Sequence, residues 1–201
     1  MTTAVSLPFT GDDAADRLLV EEPLALLIGF ALDQQVTVQK AFSGPAELKR
    51  RLGHLDAARI AAMDPGELDS VFRERPALHR FPGAMAAKVQ ALCNSIARDF
   101  GNDARRVWSE APDGPSLESR LLSLPGIGEM KAKTLIAVLG KRFGIRPPGT
   151  RLSPRPGRRS ATSTRPRRWR ATRQASAPTR PPCARPPCAR PSAADRRAAS
   201  G

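Results

Sequence analysis

Large apolar side chains all but stop at residue 150. All seven Phe, and nearly all the Leu, Ile and Val, lie in residues 1–150, and beyond that point only Leu152 and Trp169 are large and apolar. A hydrophobic core can therefore be built from the first three-quarters of the 201-residue chain and from nowhere else. Residues 151–201 comprise 14 Arg, 10 Ala, 9 Pro and 6 Ser among 51 positions. Such a segment buries too little surface to offset the entropy of ordering it, so the sequence predicts disorder there. The expected organisation is a helical domain over 1–149, long enough for one sizeable core, followed by a disordered Arg/Pro/Ala-rich tail over 150–201.

Charge divides at the same place. The whole chain carries a formal +14, of which the tail, with 14 Arg, no Lys and the single acid Asp195, supplies +13. The body is nearly neutral, which excludes a uniformly basic nucleic-acid binder. Two readings of the tail stand side by side. The loss of Lys after Lys141 and the takeover by Arg, Pro and Ala after Gly149 match an out-of-frame translation of a GC-rich gene. Alternatively, the tail is a basic arm that adds salt-dependent, sequence-independent affinity for nucleic acid. Trp169 is the only aromatic residue it offers for base stacking.

Within the body the periodicity is helical. Asp12–Glu22 forms a short first helix. Leu24–Gln35 is apolar nearly all round and is expected at the centre. Val38–Leu52 is amphipathic, with Gly44-Pro45 as an expected break. Leu55–Met63 and Pro65–Arg73 follow, the latter with Asp64 and Glu67 at capping-box spacing. Arg75–Gly83 is a loop. Ala84–Phe100, Asp103–Ser109, Ser116–Leu122 and Glu129–Phe143 complete the set. Only Thr2–Phe9 shows a weak period of two. Met63, Met85 and Met130 are expected to pack. His54 and His79 stand alone in sequence and suit capping or surface roles.

Three cysteines, Cys93, Cys183 and Cys188, provide neither a disulfide framework nor zinc-knuckle spacing. They also fall short of the four thiolates of an iron–sulfur cluster. No cofactor or metal is expected. Met1–Asp13 has no signal-peptide pattern, and Leu24–Leu32 is too short to span a bilayer. The default expectation is a soluble, cytoplasmic protein.

The most informative stretch is Leu121–Lys133, LLSLPGIGEMKAK, which reads as helix, tight turn, helix. Gly126 and Gly128 permit positive φ and remove side chains where a ligand would approach. The next helix opens with free N–H groups and a positive dipole end, a combination that suits phosphate. Lys131 and Lys133 follow immediately and would add charge-assisted contacts, although lysines at such positions are most often simply solvated.

LPGIGEMKA resembles the hairpin of the helix-hairpin-helix (HhH-GPD) DNA glycosylases, the superfamily of endonuclease III and the alkyladenine glycosylases. Ala31-Leu32-Asp33-Gln34-Gln35-Val36-Thr37 is similar to a glutamine-containing segment near the start of that helical core, and Phe81–Cys93, FPGAMAAKVQALC, to the segment that turns into a helix before the hairpin. Order and separation agree over roughly Pro23–Gly144. More narrowly, the chain resembles small base-excision-repair proteins of high-GC actinobacteria. The resemblance implies an all-α fold, a bacterial nucleoid-associated location, and binding to damaged double-stranded DNA. The implied DNA-binding residues are Leu124, Pro125, Gly126, Ile127, Gly128, Lys131 and Lys133, with Gln34 and Gln35 near the minor groove or the gap left by a flipped base. Read from the sequence alone, Gln34 and Gln35 serve equally as polar residues at a helix end.

The resemblance does not extend to catalysis. A glycosylase of this family uses an aspartate about two dozen residues beyond the hairpin to stabilise charge on the sugar or activate water. Here that region is Arg146-Pro147-Pro148-Gly149-Thr150, without a carboxylate. The lysine of bifunctional members falls at Met130, and neighbouring helical positions point elsewhere at 100° per residue. Asp33 and Glu129 are the remaining carboxylates near the motifs, and both also suit ordinary helix-end roles. No catalytic residue is assigned. Besides a glycosylase homologue, the sequence admits a non-catalytic DNA-binding module, or a helical interaction protein whose turn is purely structural.

Overall fold

A computed structural model describes residues 6–150; residues 151–201, which hold all of the expected tail but Thr150, and the first residues of the weak period-two stretch lie outside the described residues. The described chain is all-α. Its helices are α1 (Asp13–Glu21), α2 (Pro23–Leu32), α3 (Val38–Leu52), α4 (Ala57–Ala62), α5 (Pro65–Arg73), α6 (Pro82–Asp99), α7 (Arg106–Ser109), α8 (Gly114–Leu122) and α9 (Glu129–Arg142). Local chemistry sets many of their starts. Asp12, Thr37, Asp56, Asp64 and Asp113 each accept a backbone N–H of the first turn, an arrangement that contributes about 1 kcal/mol per helix. The capping reading of Asp64 holds, with bonds from the N–H groups of Gly66 and Glu67.

Helix α2 is central, as its all-round apolar sequence requires: Leu24 through Leu32 are all buried. It crosses α3 through two glycines. A Cβ on Gly29 would lie 2.6 Å from the Phe42 ring, and one on Gly44 would lie 2.6 Å from a Leu32 methyl. This close crossing corrects the expected break at Gly44-Pro45. Helix α3 runs straight through, with both residues buried; the packing that Gly44 permits outweighs the one hydrogen bond that Pro45 forfeits. Helix α6 begins at Pro82, two residues before its expected start, because proline needs no N–H partner in the first turn. No strand forms among the described residues; Phe9 instead packs on Phe42, with ring centroids 4.8 Å apart and the planes tilted by 52°.

Two features position the site. Arg51, with only 2% of its side chain exposed, pairs with Glu47. It also donates to the carbonyls of Val71 (2.5 Å), Glu74 (3.1 Å) and Pro76 (2.7 Å), fixing the loop between α5 and α6. Hydrogen bonds from Arg50 first, and from Arg51, hold the Glu47 carboxyl down at about 2 against the opposing effect of burial. After α9 the chain returns to the start of α8, where the Gly114 N–H donates to Pro148 O at 2.8 Å. Gly114 is required there, since a Cβ would fall 2.6 Å from Thr150 backbone.

Candidate nucleic-acid interface

The bend between α8 and α9 hangs from the core by two side chains. Leu124 and Ile127, three residues apart, are 2% and 4% exposed, and Ile127 N–H donates to Leu124 O at 3.2 Å. Their side chains are therefore anchors, and only their backbone is available to a ligand. Gly126 takes φ +89°. Gly128 is exposed, has extended φ (−91°) and offers α9 no side-chain cap. The first hydrogen bond from α9 back to the bend is Ala132 N–H to Gly128 O at 2.9 Å. The N–H groups of Glu129, Met130 and Lys131 thus form the open first turn.

The lysines after the bend are already engaged. Lys133 pairs with Glu129 one turn back. Lys131 curls onto the bend and donates to Gly126 O at 3.2 Å. Its ammonium pKa is lowered, by burial first and then by the Lys88 charge, with Asp33 pulling the other way. Met130, expected to pack, is instead 77% exposed: it sits at the second position of α9, where the bend turns that face outward.

Gln34 and Gln35 are not on a helix. Helix α2 ends at Leu32, Gln34 N–H turns back to Leu32 O at 2.7 Å, and Gln35 has φ +54°. The sequence pattern carries apolar residues up to Leu32 and gives no stop signal, so the expected extension to Gln35 fails. His79 supplies the competing bond. It is 2% exposed, which corrects the surface reading. Its Nε2 lies 3.0 Å from Gln34 O, and its Nδ1 accepts Phe81 N–H at 3.1 Å. One donor and one acceptor define the neutral Nε2–H tautomer. Burial, foremost, keeps the ring pKa below its ordinary value.

The two motifs meet through Lys88, which sequence reasoning passed over. Its ammonium donates to Gln34 Oε1 at 2.8 Å. Its stem lies so close to the bend that a Cβ on Gly126 would be 2.9 Å from Lys88 Cδ and 3.3 Å from Ala31 Cβ. Nothing in the one-dimensional pattern distinguishes Lys88 from any other helical lysine. Beside this junction, Phe81 is 44% exposed, with the Arg80 guanidinium 4.8 Å from its ring centre. Cys93 plays no part. It is buried in the core, and burial pushes its thiol up to about 12, so it is inert.

No protein-family model matches the chain, and no curated protein matches it. Among solved structures the chain is similar to a trapped endonuclease III–DNA covalent intermediate, an estranged-adenine complex, at 22% identity and a TM-score of 0.44. It is similar also to a non-covalent endonuclease III–DNA complex, at 22% identity and a TM-score of 0.45. Each likeness covers 61% of this chain and 49% of the other, so the chain spans about half the length of those proteins. No helix among the described residues is long and apolar enough to cross a membrane.

Proposed function

We propose that this chain is a helix-hairpin-helix protein of the base-excision-repair type that binds duplex DNA at a damaged or abasic site. The strand phosphate would be received by the open first turn of α9 and the exposed backbone at Gly128. Lys131 would add charge from the flank. The Gln34–Gln35 loop would lie along the minor groove, and Phe81 would offer an apolar face to an unpaired base. The observation that supports this reading is the convergence at Gly126. Three sequence segments that independently resemble the glycosylase pattern pack together there, around a bend whose amides stay open.

Base release is a separate matter. From Met130 to Ala194 the chain contains no Asp or Glu. The segment Arg146–Thr150, where the family's acid is expected, is tied back to α9 and α8 by Arg146 and Pro148. This absence favours a protein that binds DNA without cleaving the glycosidic bond.

Gly128→Ala tests the binding mode. A Cβ there meets nothing within 4 Å, so the fold is kept while the new methyl stands where the phosphate would approach. Affinity for a duplex with one abasic analogue is expected to drop about ten-fold, roughly the worth of one charge-assisted contact. Undiminished affinity would rule out this bend as the DNA contact. A panel of damaged duplexes is expected to give no base release.

A further inference from the structure

The proposed interface leaves Lys88 without a role, and its surroundings are unusual. It sits half-buried on α6, against the bend, with its stem packed on Gly126. Its one hydrogen-bond partner is the neutral amide of Gln34. Among the described residues it joins no ion pair, whereas Lys133 is neutralised by Glu129. An ammonium has three donors, and the single bond to Gln34 uses one of them. Two donors are therefore left for an arriving anion, which would meet them as charge-assisted hydrogen bonds.

Gln34 is held from three sides. Its Oε1 accepts from Lys88, its Nε2 donates to Ala31 O at 3.3 Å, and its carbonyl oxygen accepts from His79 Nε2 at 3.0 Å. Gln35 next to it is exposed. The pair therefore divides the work. Gln34 is a fixed post to which Lys88 is tied, and Gln35 is the residue that faces outward.

We infer that Lys88 is a second phosphate-binding cation, one that bridges the bend to the glutamine loop: its ammonium takes a non-bridging oxygen of the DNA strand seated at residues 126–131 while keeping Gln34 in place. This rests on the proposed DNA-binding function and adds to it a contact from α6, outside the hairpin. Lys88 thereby couples occupancy of the bend to the position of the Gln34–Gln35 loop, because one side chain touches both.

The salt dependence of binding reads this directly. Each phosphate neutralised by a lysine adds about 0.9 to the slope of log affinity against log salt. With the full chain and a duplex bearing one abasic analogue, Lys88→Met retains an unbranched stem over Gly126 and removes the charge. Its slope is expected to fall by about 0.9 relative to wild type, and Lys88→Arg is expected to keep the wild-type slope. Lys141→Met, at the opposite end of α9, serves as the control and should leave the slope unchanged. The 14 arginines after residue 150 contribute equally to every variant and cancel in the comparison. Equal slopes for wild type and Lys88→Met overturn the inference, as does an equal drop in the Lys141 control. If Lys88→Met fails to fold, the wild-type chain carrying 13C-methylated lysines decides. The Lys88 resonance, assigned through Lys88→Arg, must shift when the abasic duplex is added, and an unmoved resonance overturns the inference. If wild type itself fails to bind the duplex, the proposed function falls and this inference with it; binding with an unaltered slope removes Lys88 alone.

Discussion

The bend at residues 124–129 and the loop at residues 33–37 are joined through Lys88, yet they are built by opposite means. The bend is held from within by apolar side chains three positions apart, Leu124 and Ile127, and its own turn hydrogen bond. The loop has one apolar contact with the core, the partly buried Val36, and no comparable anchor at Gln34 or Gln35. It is held from outside, by His79 at a sequence separation of 45 and by Lys88 at 54. A ligand surface made the first way keeps its shape as long as the core persists. One made the second way depends on hydrogen bonds whose strength changes with pH and with competing partners.

The sharpest way to break this contrast is to remove an apolar anchor. Leu124→Ala is expected to cost about 3 kcal/mol of unfolding free energy, the sum of lost transfer and cavity terms for a fully buried leucine. Urea unfolding measures it. A loss below about 1 kcal/mol would mean the bend is not suspended from the core.

A smaller effect separates the two glycines of the bend. Gly126→Ala is expected to destabilise by about 1–2 kcal/mol, because a Cβ is disfavoured at φ +89° and would press on the Lys88 stem at 2.9 Å. Gly128→Ala should stay within about 0.5 kcal/mol, since its φ is ordinary and the space is open. Thermal melts of the pair distinguish a glycine needed for the fold from one positioned to leave room for a ligand. Similar costs for both would erase that distinction.

These contrasts also explain what could be read in the sequence. The helices were legible because their signals are local: apolar faces at helical spacing, the Asp64 cap with Glu67 three residues on, and the LPGIG turn with its two glycines. The bend as a whole was legible for the same reason. The end of α2 was not, since the bond that outcompetes further helix at Gln34 comes from His79, and a single histidine within a loop gives no hint of its target. Lys88 was equally hidden. Its place opposite Gly126 follows from how α6, α2 and the bend pack, which no residue-by-residue pattern encodes. The uninterrupted α3 illustrates the converse. Gly44-Pro45 is a genuine local breaker, overruled by the close approach of Leu32 that the missing side chain allows.

The loop's dependence on polar contacts gives the smallest and most selective effect, its response to acid. His79 is neutral in the fold, donating from Nε2 to Gln34 O and accepting from Phe81 N–H at Nδ1, so protonation would set a donor against a donor. Burial, the largest cause, lowers its pKa from the ordinary 6.5; the backbone hydrogen bonds at Gln34 and Leu32 oppose it, and the charges of Arg80 and Lys88 add to the lowering. The unfolded chain therefore takes up the proton first as pH falls. The contribution to stability is complete above about pH 6.5 and declines as acidification proceeds toward the folded-state value. Between pH 7.5 and 5.5 the loss is expected to stay below about 1.4 kcal/mol, the limit for a single such proton. His79→Gln should abolish that part of the pH dependence. Amide hydrogen exchange gives the local test: acid should increase opening at residues 34–37, after correction for the intrinsic exchange rate, and leave Ile127 protected. Equal opening at both places would show that the bend and the loop share one support rather than two.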